Sequence, residues 1–316
     1  MKITKFVKGC KKMLVYIKKP QYILLLLDQK RILTLKDETY LKLLYKKTLQ
    51  KELNLNNPKT FNEKLQWLKL YDRNPKYTIM VDKYEVKKYI SDIIGEEYII
   101  PTLGIYEKFE DIDFSKLPNQ FVVKCTHDSA STVICKDKNN FDYIGARKKI
   151  NNCLKKNYFY IGREWPYKNV KPRIIIEEYM ENADGTAIDD YKFYCFDGKT
   201  NYVMICRERE TGNPKFYYFD REWNLQKNMS NDGMKISEME ANKINKPGNL
   251  GKMFEIAEIL SKNIKFVRTD LYYINNKIYF GELTFFPTGG IDTTRTKECD
   301  EILNNSLCLN VVDKND

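Results

Sequence analysis

Apolar and polar positions along this chain follow two different periods. Up to about residue 75 the pattern is helical: "DETYLKLLYKKTLQKELNL" sets Leu and Tyr against Lys, and "NPKTFNEKLQWLKLYDRNPKY" places Leu65, Leu68 and Tyr71 on one stripe. Thr60 stands three residues before Glu63, the spacing of a capping box, and predicts a short helix beginning near Thr60. Another helix is expected at "MVDKYEVKKYISDIIG", ended by Gly95. From Tyr98 the texture changes to short runs bounded by Gly, Pro, Asn and Asp, as strands and hairpins are: "YIIPTLGIY", "QFVVKC", "STVICKD", "PRIIIEEYM", "DYKFYCFDGKTNYVMICRERE" and "KFYYFDREW". Helices return over 141–156 and 249–262, the latter with Leu250, Met253, Phe254, Ala257 and Leu260 on one face. Hairpin-forming strands with helices packed on them define an α+β fold. Three parts are expected: a basic, mostly helical region over 1–75, an N-terminal lobe over 76–180 and a C-terminal lobe over 181–316.

The charges that fall inside apolar runs are the candidate chemistry, because such groups are seldom buried unless paired. "KFVRTDLYYINNKIYFGELTFFPTGG" reads as a hairpin turning at Asn275-Asn276, with one acid in each strand, Asp270 and Glu282. A two-residue loop sets Asp270 opposite Gly281, and a three-residue loop through Lys277 sets it opposite Glu282. Opposed carboxylates about 5 Å apart repel unless a cation or proton intervenes. Mg²⁺ resolves that conflict, and Thr284 adds an oxygen on the same face. The odd-numbered loop, Asn275 to Lys277, is therefore the expected one.

Lys124, within "QFVVKC", either points to solvent or supplies a point charge to a phosphate, with the polar "THDSAST" loop adding donors. Glu177 and Glu178 must point to opposite sides of a strand. Asp190 and Lys192 share a face and read most simply as a surface ion pair of little consequence.

Composition narrows the classes. In 316 residues, 42% hydrophobic and 31% charged content argues against extensive disorder, and 54 Lys+Arg against 43 Asp+Glu gives +11, favouring polyanionic partners. The lysines are dispersed and no recognition motif occurs, which argues against nucleic acid. Eight cysteines without CxxC spacing suggest reduced thiols and a cytoplasmic setting, and the single histidine, His127, excludes a multi-histidine metal site. In "MKITKFVKGCKKMLVYIKK", Ile3, Phe6, Val7, Cys10, Leu14 and Ile17 follow helical spacing among lysines. Residues 1–20 thus suit a helix lying on an anionic membrane, at its inner face, and equally a helix docked on the protein's own body.

The segments "NPKTFNEKLQWLKLYDRNPKY", "VDKYEVKKYI", "LPNQFVVKCTHDSAS", "PRIIIEEYM", "DYKFYCFDGK", "VRTDLYY" and "GELTFFPTGG" together resemble the TupA-like branch of the ATP-grasp superfamily, associated with teichuronopeptide and capsular polysaccharide clusters. The resemblance covers about residues 55–290. It implies an ATP-grasp fold whose two α+β lobes hold ATP and Mg²⁺ in a cleft. It also implies a carboxylate–amine ligase acting through an acyl phosphate, with an acidic, uronic-acid-containing glycan and an amine or amino acid as partners. Carried over, Lys124, Ser129 and Ser131 look like phosphate contacts. Glu177, Glu178, Tyr179 and Met180 look like the adenine hinge, with Glu178 the acid turned toward the nucleotide. Asp190 and Lys192 would sit near phosphates or acceptor, with Lys192 and Arg268 as catalytic cations. Asp270, Glu282 and Thr284 would hold the metal. Two departures stand out: "HDSAS" replaces the glycines relatives tend to carry, and Thr284 stands where many ATP-grasp enzymes have Asn. The alternatives are a glycosyltransferase, which the hairpin pattern disfavours against a Rossmann-type alternation, and a nucleotide-binding module without catalysis.

Overall fold

A computed structural model describes residues 19–185, 188–207, 214–230 and 237–309; most of the N-terminal segment 1–20 lies outside it. In chain order, α1 (Ile23–Gln29) and α2 (Asp37–Leu49) lead into α3 (Phe61–Tyr71), α4 (Lys76–Val81) and α5 (Glu85–Ile94). Strands β1 (Thr102–Tyr106), β2 (Phe121–Cys125) and β3 (Val133–Cys135) precede α6 (Tyr143–Leu154), α7 (Phe159–Gly162) and β4 (Ile174–Glu178). Then follow β5 (Asp190–Cys195), β6 (Val203–Arg207), β7 (Lys215–Phe219), α8 (Leu250–Leu260), the β8 (Val267–Ile274) and β9 (Lys277–Thr284) pair, and α9 (Lys297–Ser306).

Local chemistry sets several boundaries. Thr60 and Glu63 form the reciprocal capping box at the start of α3. The single helix expected before Gly95 is two helices. Asp82 interrupts it by accepting the Tyr84 N–H at 2.9 Å, and its other oxygen is held 2.8 Å from Arg173. The described cysteines are free thiols, most of them buried.

Two antiparallel sheets carry the architecture, a smaller one in the order β1-β4-β2-β3 and a larger one in the order β7-β6-β5-β8-β9. Phe121, Val123, Ile174 and Ile176 bury one face of the smaller sheet with Ile150 of α6. The larger sheet buries Phe193, Ile205, Val267, Leu271 and Leu283 with Met253, Phe254 and Ala257 of α8. Tyr77, Met80, Val86 and Ile90 join this second core, so residues 76–94, assigned from sequence to the N-terminal lobe, pack with the larger sheet instead. Their apolar stripe finds its partner there. A third cluster gathers Tyr22, Leu25, Tyr40, Leu41 and Tyr45 around α1 and α2. Arg163, itself buried, ties that cluster to the body by pairing with Asp28 at 2.6 Å and Asp37 at 2.9 Å.

One buried lysine fastens α3 to the segment after β9. The Lys69 ammonium donates to the carbonyls of Gly162 at 2.7 Å and Gly289 at 2.6 Å. Burial pulls Lys69 down to about 8, against the attraction of Glu164, and pushes Glu164 up to about 7, against that of Lys69. The native state therefore holds the Glu164 proton over a range where the unfolded chain, with an ordinary value of 4.5, has lost it. The stability this supplies is fully present below the unfolded value and is lost as pH rises through the folded one. Glu164→Gln should remove the dependence, on the order of 3 kcal/mol between the two limits. Melting curves of parent and variant across acid to neutral pH check it, and parallel profiles would refute it.

Candidate active site

The β8–β9 hairpin turns tightly. Asn275 and Asn276 adopt φ of 49° and 63°, and Ile274 pairs with Lys277, so the loop has two residues and the expected odd-numbered loop is absent. Even so, Asp270 pairs with Glu282, because the register shifts between Asp270 and Leu271 and Leu271 pairs with Phe280. Gly281 is the extra residue of a β-bulge. Glycine is required at this point, since an added Cβ would lie 2.9 Å from the Asp270 carbonyl oxygen and 3.0 Å from the Tyr272 ring. The bulge, rather than the turn, opposes the two carboxylates.

Asp270 lies at the centre of a charged cluster on the face away from the core. Its strand neighbour Lys192 reaches it at 2.5 Å and also bonds Asp190. Arg268 grips the same carboxylate with two bonds of 2.6 Å. Burial would raise the Asp270 carboxyl, but the charges of Arg268 and Lys192 outweigh it and hold the carboxyl below its ordinary value. Asp190 goes the other way, raised by burial despite Lys192, with the charge of Asp270 adding to the rise. The reading of Asp190 and Lys192 as a surface pair is thus corrected, since Lys192 is buried. Arg268 also donates to Thr284 Oγ1 at 3.2 Å and lies 3.6 Å from Glu282, and Thr284 donates to Glu282 at 3.2 Å. The Glu282 side chain is 44% exposed, whereas that of Asp270 is 2% exposed.

Across from Glu282 stands a basic wall. Lys124 on β2 and Lys87 on α5 each reach one oxygen of Glu177 at 2.6 Å. Burial would push the Glu177 carboxyl up, yet the two ammonium groups together hold it down. Lys83 donates to the Asp128 carbonyl. These three lysines and Glu177 line one cavity of about 200 Å³, closed on the other side by Tyr272, Phe280, Gly281 and Glu282. The cavity and the charged cluster meet at Glu282.

Several expected contacts lie elsewhere. Glu178 is exposed and borders a separate groove with Tyr179, so Glu177, not Glu178, is the acid turned into the cavity. Pairing of β4 with β2 decides this, placing Glu177 beside Val122 on the face that carries Lys124. Met180 follows Tyr179 as a half-buried residue beyond the strand. Ser131 is buried, accepts the Cys125 N–H at 2.7 Å and donates to Asp128, which makes it a brace of its own loop and not a ligand contact. Ser129 does line the cavity, with its hydroxyl donating to Tyr158 at 3.0 Å. His127 also braces this loop, with Nε2 3.2 Å from the Cys153 carbonyl and 3.1 Å from that of Lys156. Sequence reading missed Lys83 and Lys87. Their four-residue spacing in the helix expected there was the available signal, although the break at Asp82 leaves Lys83 just ahead of α5.

The donor set suits a hard divalent cation. Asp270, Glu282 and Thr284 offer only oxygen: Thr284 bonds Glu282, and Asp270 stands opposite Glu282 in the ladder with its own oxygens held by Arg268 and Lys192. Among the described residues no group of three or more His, Cys, Asp or Glu gathers as a metal cage, so a cation here needs further oxygens from its own ligand. The Lys83, Lys87 and Lys124 wall suits the anionic part of such a ligand.

A family model described as TupA-like ATPgrasp matches residues 63–308. No match was found among the curated proteins. Among solved structures, the chain is similar to a D-alanine-D-alanine ligase from Helicobacter pylori, at 14% identity and a TM-score of 0.44 over 78% of this chain and 69% of that one. A D-alanine-D-alanine ligase from Bacillus anthracis complexed with ATP matches at 18% identity and a TM-score of 0.41, over 72% of this chain and 65% of that one. An L-amino acid ligase from Bacillus licheniformis matches at 12% identity and a TM-score of 0.41, over 81% of this chain and 56% of that one. For the last two, the match spans less than two thirds of the solved protein's length.

Proposed function

Because this chain belongs to the TupA-like ATP-grasp family, we propose that it is an ATP-dependent carboxylate–amine ligase that forms an amide on an acidic glycan. The observation that carries this reading is the juxtaposition of two opposed carboxylates, Asp270 and Glu282, with the three lysines of one cavity. In this assignment Lys83, Lys87 and Lys124 hold phosphate oxygens, and Glu282, Asp270 and Thr284 hold Mg²⁺. A metal held there would supply neutralisation of phosphate charge. Arg268, anchored by Asp270, presents its guanidinium toward Glu282 and would meet charge developing on the transferred phosphoryl. Lys192 sets the geometry of Asp190 and Asp270. The substrate carboxylate takes the γ-phosphoryl to give an acyl phosphate and ADP. The amine nitrogen then attacks the acyl carbon, phosphate leaves, and one proton is released. A cavity of about 200 Å³ is smaller than the roughly 300–1,000 Å³ of ordinary ligand pockets, which suits the phosphate end of a nucleotide and not the whole of it. The formal charge of +11 supports an acidic acceptor, and hence work in cell-surface polysaccharide assembly.

One DxD triplet, which sequence reading passed over, does occur at Asp111-Ile112-Asp113, but it lends the competing transferase reading no support, since Asp113 accepts the Ser115 N–H of its own turn and pairs with Lys116 at 3.3 Å. Release of ADP that requires both a uronic-acid-containing glycan and an amine is the expected result. Tight Mg·ATP binding without ADP release across a panel of acids and amines would favour a non-catalytic module. A thermal shift with nucleotide sugars but not ATP would favour the transferase.

A further inference from the structure

α1 carries the longest apolar run in the chain, Tyr22 to Leu27, yet of that run only Tyr22 and Leu25 are buried. Ile23 is 41% exposed, Leu24 37%, Leu26 36%, and Ile32, just past the helix, 66%. Single exposed aliphatics are ordinary, but four within two to three turns form a patch that needs a partner. The described residues on either side of the patch carry one sign of exposed charge. Residues 19–36 contain Lys19, Lys30, Lys36, Arg31 and a single acid, and that acid, Asp28, is buried against Arg163.

We propose that the exposed face of α1, with the basic residues flanking it, docks on an anionic bilayer surface. Ile23, Leu24, Leu26 and Ile32 enter the boundary between headgroups and acyl chains, and Lys19, Lys30 and Arg31 meet anionic headgroups. The helix lies on the surface, since no helix among the described residues is long and apolar enough to cross a membrane. Charge selects this occupant over a second copy of the chain, because self-association would bring two sets of like charges together. The patch is held rigidly on the body by the buried Tyr22, Leu25 and Tyr40 and by the Asp28–Arg163 pair.

The test is flotation of the full chain with vesicles of phosphatidylcholine alone or mixed with phosphatidylglycerol. Binding is expected only to the mixed vesicles and should weaken as salt rises. The variant carrying Ile23→Ser, Leu24→Ser and Leu26→Ser should bind about tenfold more weakly. None of the three belongs to the buried cluster that seats α1, so the melting temperature should fall only a little, and it is measured alongside. Lys30→Glu, an exposed change on the charged side alone, is the second variant and should also weaken binding. Absence of binding by the parent overturns the proposal. So does equal binding by the triple variant, which would leave the lysines sufficient, or a parent dimer that the triple variant makes monomeric without any vesicle binding.

Discussion

Glu282→Gln is expected to lower Mg²⁺-dependent ADP formation by on the order of a hundredfold or more while leaving the melting temperature nearly unchanged. Glu282 reaches Arg268 only at 3.6 Å and is 44% exposed, so the ion pair it gives up is screened and worth well under about 1 kcal/mol. Asp270→Asn should behave differently. It removes the carboxylate that Arg268 and Lys192 share in a buried setting, leaving two cations with one partner fewer. Breaking a buried pair in that way costs roughly 3–5 kcal/mol, so both activity and stability should fall. The pair of variants separates metal binding from scaffolding, because only a metal role makes the exposed acid as critical to turnover as the buried one. Turnover by Glu282→Gln close to that of the parent, measured as ADP release at saturating Mg²⁺, would overturn the metal assignment.

Gly281→Val should cost about 1–3 kcal/mol and reduce ADP formation about tenfold or more, whereas deletion of Gly281 should be better tolerated. The valine Cβ would press on the Asp270 carbonyl, which is backbone and cannot swing aside. Sliding the strand to relieve it would carry Glu282 to the face now occupied by Leu283, which is buried, and bring Leu283 into the cleft. Deletion instead leaves a regular ladder. With Ile274 still opposite Lys277, Glu282 takes the place of Gly281 and remains opposite Asp270. Denaturant melts of the two variants decide the matter. A deletion as damaging as the valine would mean that the bulge aims Glu282 in a way a regular ladder cannot.

The bulge also marks where sequence reading runs out. The α+β, two-sheet ATP-grasp architecture is the one expected, and the Thr60–Glu63 cap was legible because its signal is contained in four residues. The acids of the hairpin stood out because charge among aromatics is costly. Loop length was not legible, since a two-residue turn with a bulge and a three-residue loop give the same opposed pair, and only the small size of Gly281 hints at the difference. Glu177 and Glu178 could be placed on opposite faces but not assigned to them, because the neighbouring strands decide which face meets the cleft. Lys192 looked solvent-facing by alternation. Lys192 is buried there, and the second acid that pairs with it comes from β8, its neighbour in the sheet but 78 residues away in sequence. Lys83 and Lys87 resemble any solvated lysines until β4 brings Glu177 against Lys87 and the Asp128 carbonyl meets Lys83.

The glycine-poor loop after Lys124 has a thermodynamic consequence. Ser131 bridges the Cys125 amide and the Asp128 carboxylate, His127 holds two carbonyls at the end of α6, and Lys83 holds the Asp128 carbonyl. A glycine-rich loop in that position would lose much backbone freedom on closing over phosphates, roughly 1–2 kcal/mol for each residue fixed. Here much of that entropy has already been surrendered on folding, so the loop contributes as a preorganised wall, and the bonded amides of Cys125, Thr126 and Ser131 should exchange slowly even in the free protein.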